Sequence, residues 1–203
     1  MIYIFATPLA IWGIFGWMRD MSNRWIIEYY LTLNDVALFA VMNSLIVIIP
    51  GALQAFFGMY FMPILYKKEK EQKGYIREFN KKVVLVGFLI VILGTLFVEL
   101  VSEYLIIILS DAKYLSGAWM LAPMFFVFSL FSLSMSTTSE IFAYNRTKLL
   151  LLPNIASGII SVVAFLFCIN FYGMKGTVYA FMISYLTYSI LTFFVVYRFK
   201  NVK

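Results

Sequence analysis

Polar residues are scarce in this chain, so the few that lie inside long apolar runs are where any chemistry would have to happen. Ser129, Ser132, Ser136 and Ser139/Glu140 recur at steps of three and four, the spacing of one helix face, and Thr137 and Thr138 widen that face. Asn43, Gly51, Gln54 and Gly58 share a second face, and Asn154, Ser157, Ser161 and Cys168 a third. Such stripes suit either close helix packing through small residues or a solvated path for a polar solute. Asn43, Gln54 and Glu140 are too polar to be needed for packing alone. Glu140 either joins such a path or pairs with Arg146 or Lys148 near the end of its run. Arg24 is either an interfacial anchor or a cationic contact for an anionic head group. Catalysis finds no foothold. There is no His, which removes His ligands and His general bases, and no nucleotide loop, metal-ligand cluster or triad appears. No cofactor is implied, and the lone Cys168 cannot form an intrachain disulfide.

The elements that must position these residues follow from composition. The 203 residues are 63% hydrophobic and 13% charged, with a mean hydropathy of +0.91. A globular domain carries about 25% charged residues, so a polytopic helical membrane protein is expected. A barrel would need alternating strands of ~10 residues, which are absent. Six spans are predicted: Met1–Met18, Val36–Tyr66, Val83–Tyr104, Ala118–Ala143, Leu149–Asn170 and Thr177–Tyr197. Trp12 and Trp17 read as an interfacial end of the first, followed by a mixed outer segment from Asp20 to Asp35. The second is expected to be one long helix bent at Pro50. Phe171–Gly176 reads as a tight turn.

Lys67–Lys82 is the only strongly charged run, with seven basic residues in sixteen. Lys and Arg are retained on the cytoplasmic side, so this run is expected to be a cytoplasmic loop. The loop, Arg146 and Lys148, and the tail Arg198, Lys200 and Lys203 together hold 12 of the 16 cations. Arg19, Arg24, Lys113 and Lys175 fall outside, and both termini fall inside. The net charge of +6 therefore points to topology and membrane lipid, not to nucleic acid.

Three stretches carry a family resemblance. They are TPLAIWGIFGWMRDMSNRWIIEYYLTLNDVALFAVMNSL, DAKYLSGAWMLAPMFF, and YNRTKLLLLPNIASGIISVVAFLFCINFYGMKGTVYAFMISY with its Tyr172, Gly173 and Gly176 turn. In their order they resemble the C-terminal half of bacterial polysaccharide-biosynthesis membrane proteins. These are flippases of lipid-linked oligosaccharides (O-antigen or capsule repeat units) in the multidrug/oligosaccharidyl-lipid/polysaccharide exporter superfamily. Where that family commonly has Asp-Arg after the first helix, this sequence has Asn23-Arg24.

The resemblance implies one six-helix lobe of a two-lobe exporter that rocks about a central cavity. It implies translocation of undecaprenyl-pyrophosphate-linked oligosaccharide across the bacterial cytoplasmic membrane, with head-group contacts expected at Arg24, Asn43, Gln54 and Glu140. Six helices cannot form both walls of such a cavity. The N-terminal lobe would belong to a longer chain or be replaced by a second copy, unless the gene is truncated and the lobe inert. Other polysaccharide-assembly proteins are further expected partners. A drug/cation exporter of the same superfamily is a second expectation, with Glu140 as its coupling carboxylate. A membrane-bound polysaccharide transferase or polymerase is a third, opposed by the short outer loops and the missing His.

Overall fold

The computed structural model describes residues 2–199, with side chains from position 10 on. Met1, the start of the first expected span, and Lys200 and Lys203, which entered the charge count, lie outside the described residues. The described chain is helical, without strands. In chain order come α1 (Ile2–Tyr30), α2 (Leu33–Phe56), a π-helical turn (Phe57–Phe61), α3 (Met62–Glu71), α4 (Tyr75–Leu109), α5 (Ala118–Ser136), α6 (Ser139–Ala143), α7 (Leu151–Tyr172) and α8 (Met174–Arg198). Short 3-10 turns lead into α5 and α7. Among the described residues five stretches are long and apolar enough to cross a membrane. The 29-residue α1 has the length for a sixth crossing.

α5 is the hub. It packs against α2, α4 and α8, while α7 packs between α1 and α8. Its buried residues run almost without interruption from Met120 to Ser134, so it is covered around nearly its whole circumference. Where α1 meets α7, a Cβ at Gly158 would stand 2.9 Å from the Phe15 carbonyl oxygen, so glycine sets that close approach.

Three expectations are corrected. The first helix does not end at Met18: it continues unbroken through Arg19, Asp20 and Arg24 to Tyr30. Trp17 is therefore mid-helix and not at a helix end, and Arg19 and Arg24 are not loop cations. Lys113 and Lys175 are left as the cations of the end opposite the basic run, which makes the asymmetry steeper.

Second, the expected single long helix holds, with Pro50 buried inside a continuous α2, but it also carries an unexpected irregularity later, where the Met62 N–H donates to the Phe57 carbonyl five residues back. Pro63 explains the shift. Its ring would strike the carbonyl four residues earlier and it has no N–H to offer, so the preceding turn widens.

Third, the basic run is mostly helix. α3 ends at Glu71, α4 begins at Tyr75, and a three-residue turn through Gly74 (φ 90°) joins them. Glu69, only 7% exposed, makes this turn possible. Its two oxygens accept the Gly74 and Ile76 N–H groups at 2.8 Å each, satisfying the open start of α4, and the Tyr144 hydroxyl donates to it at 2.6 Å.

Candidate functional site

An arginine at mid-depth of the bundle is the least expected feature. Arg19 lies 11 residues before the end of α1, ~16 Å along the axis at ~1.5 Å per residue. It is 4% exposed. Its neighbours are Phe131 of α5 and, central in their helices, Ser161 of α7 and Tyr185 and Tyr188 of α8.

Burial of a charge this deep needs compensation, and three kinds are present. The guanidinium carbon lies 4.7, 5.2 and 5.0 Å from the ring centres of Phe131, Tyr185 and Tyr188. A planar, weakly hydrated guanidinium is the cation best suited to such faces. Its Nε donates to Asp20 Oδ1 at 2.9 Å. The Tyr185 hydroxyl donates to the same Asp20 oxygen at 2.9 Å, so α1 and α8 share one carboxylate.

The compensation is incomplete. Arg19 Nη1 is buried without an acceptor, and one turn on the Asn23 carbonyl oxygen is buried without a donor. The Asn23 amide nitrogen is spent on the Asp20 carbonyl at 3.2 Å. Asp20 itself is 43% exposed. Asp20, Arg24 and Glu28 follow at steps of four, and the latter two are exposed, so a charged stripe runs along the uncovered side of α1.

Two cavities lie elsewhere. The first, of about 550 Å³, is a groove between α2 and α4 floored by α5 and almost wholly apolar. Gln54, Ser129, Ser132, Ser136 and, from the basic run, Lys82 are its polar points, so the α5 serine stripe faces a groove and not a packed helix. The second, of about 820 Å³, lies at the basic end between α4 and α8 and holds Glu140.

The four residues expected to meet the head group are dispersed. Arg24 is exposed on α1, Asn43 is half-buried on α2 with an unpaired carbonyl oxygen, Gln54 lines the groove, and Glu140 lines the basic-end cavity. Neither cavity holds two of them. Glu140 forms no ion pair with Arg146 or Lys148. The helix breaks at Thr137 and Thr138, whose hydroxyls donate to carbonyls three residues back, and this turns Glu140 off the serine face. Ser139 turns with it and donates to Asn80 at 3.1 Å. The stripe therefore stops at Ser136. On α7, Ser157 and Ser161 face inward, and the Ser161 hydroxyl donates to the Arg19 carbonyl at 3.3 Å.

Arg19 was missed because a charged Arg-Asp pair after an uncharged run reads as the end of a span. A helical spacing did mark it: Phe15, Arg19, Ser22/Asn23 and Ile26/Ile27 fall on one face. No protein-family model, no curated protein and no solved structure matches this chain.

Proposed function

We propose that this chain is a carrier, not an enzyme: one six-helix wall of a membrane transporter that moves an amphiphile with an anionic head group. The observation that supports it best is the charged stripe Asp20, Arg24 and Glu28 on the uncovered side of α1, backed by the fixed Arg19. Asp20 and Arg24 on a spanning helix cannot face lipid at acceptable cost, and Glu28 extends the stripe to head-group level. They call for a hydrated cavity, closed by a second lobe or a second copy. Arg19, Asn23 and Arg24 would receive the head group there, while its lipid chain stays in the bilayer and the bundle rocks about the site. With the family resemblance, this reading narrows to flipping of undecaprenyl-pyrophosphate-linked oligosaccharide across the bacterial cytoplasmic membrane for O-antigen or capsule synthesis.

The test is deletion of the gene, followed by a leaflet-resolved assay of lipid-linked repeat units. They should accumulate on the inner leaflet. Normal surface polysaccharide in a clean deletion would overturn the proposal. One observation favours the drug/cation exporter as a second reading: the half-exposed Asp20 carboxylate offers a coupling site that Glu140, off the α1 face, does not. Loss of drug resistance in Asp20→Asn with intact surface polysaccharide would select it.

A further inference from the structure

The cavity at the basic end is built differently from the apolar groove. α4 and α8 touch through Phe88 and Phe193, whose ring centres are 6.4 Å apart, and one turn nearer the basic end they enclose about 820 Å³. Arg77, Lys81 and Arg198 bring three cations to its wall and Glu140 one carboxylate. Glu140 is 2% exposed and has no hydrogen-bond or ion-pair partner among the described residues, with Arg77 facing it beyond ion-pair distance. The carboxylate opens onto the cavity with no donor of its own, so a cationic or N–H group of a ligand would complete it. The other polar groups of the floor are already spent. The Asn80 amide nitrogen donates to the Thr137 carbonyl at 2.9 Å and its oxygen accepts from Ser139. The cavity thus offers acceptor capacity at its base and donor capacity at its rim.

A ligand that matches both carries an ammonium and a phosphate. Its source is set by what lies beyond the cavity. Val84 and Phe193 line its apolar side, and Leu85, Leu89, Ile190 and Phe194 continue as exposed apolar surface along the two helices. Such a surface suits acyl chains, and the charge asymmetry places this end at the inner leaflet. We infer that the α4–α8 cavity binds a phospholipid with a primary ammonium head group, such as phosphatidylethanolamine, through phosphate contacts to Arg77, Lys81 and Arg198 and an ammonium contact to Glu140. This inference is independent of the transport reading.

The experiment is a native mass-spectrometric titration of the purified full chain with phosphatidylethanolamine, phosphatidylglycerol and phosphatidylcholine of matched acyl chains. Phosphatidylethanolamine should bind about tenfold more tightly than phosphatidylcholine, whose methylated ammonium cannot donate, as expected for one charge-assisted hydrogen bond. Glu140→Gln should erase that preference and leave phosphatidylglycerol binding intact. Lys81→Gln and Arg198→Gln, at exposed positions, should weaken all three lipids and keep the test informative if Glu140→Gln fails to fold. Equal binding of the ethanolamine and choline lipids, or a preference that survives Glu140→Gln, would overturn the inference. So would soluble phosphoethanolamine competing as well as the lipid, or a polyprenyl diphosphate displacing it preferentially.

Discussion

Removing either member of the Arg19–Asp20 pair should have unequal consequences. In Asp20→Asn the guanidinium stays 4% exposed and loses its only carboxylate, keeping three aromatic faces. Stranding a buried charge costs about 3–5 kcal/mol, and the ring faces, worth about 0.5–2 kcal/mol each, offset part of it. We expect a loss of about 2–3 kcal/mol. In Arg19→Met the carboxylate left behind is 43% exposed and keeps the Tyr185 hydroxyl, while the new side chain fills the apolar space. That loss should be about 1 kcal/mol, because solvent screens a half-exposed charge. The double variant should recover to within about 1 kcal/mol of wild type, since neither partner is left as a stranded charge. Reversible unfolding in mixed detergent micelles, read as a double-mutant cycle, measures all three. Additive losses, or Arg19→Met costing more than Asp20→Asn, would refute the burial argument. The double variant should nonetheless be inactive in transport, which separates a functional charge from a structural one.

Three further outcomes follow from named contacts. Glu69→Gln should loosen the start of α4 by about 1–3 kcal/mol, seen as faster hydrogen exchange at the Gly74 and Ile76 amides, and unchanged exchange there would contradict the capping role. Gly158→Val should cost about 1–3 kcal/mol by forcing α7 away from Phe15, and a wild-type unfolding curve would show the contact to be slack. Pro63→Ala should return the Phe57–Phe61 turn to α-helical register by restoring an N–H for Met59, a change readable in the Met59 carbonyl chemical shift.

Much of the architecture was legible because lipid is a strict solvent. Long uncharged runs, a basic run between two of them, and a proline early in the fifth run marked the helices and their order. What stayed hidden depended on neighbours distant in sequence. Arg19 can continue a helix only because Phe131, Tyr185 and Tyr188 converge on it, and nothing near position 19 announces residues more than a hundred positions away. Glu69 read as one charge in a basic loop, yet two backbone N–H groups and Tyr144 make it a cap. The serine stripe on α5 extrapolated to Glu140 because its periodicity persists in sequence, while the two threonine back-bonds end the helix first. Among the expected contacts, Arg24 lies on the charged stripe of α1, whereas Asn43, Gln54 and Glu140 face three separate environments.

The claim on which the rest depends is that α1 carries Arg19 and Asp20 to the middle of the bilayer. Trp17, exposed on the same helix 13 residues before its end, reports that depth directly. With Trp12, Trp25 and Trp119 replaced by phenylalanine, fluorescence quenching by phospholipids brominated at successive acyl carbons gives the distance of Trp17 from the bilayer centre. Quenching strongest for bromines near the chain ends, placing the indole within about 5 Å of the centre, is the expected result for a point ~20 Å below the helix end. Strongest quenching by bromines next to the head groups would return Trp17 to the interface and contradict the account.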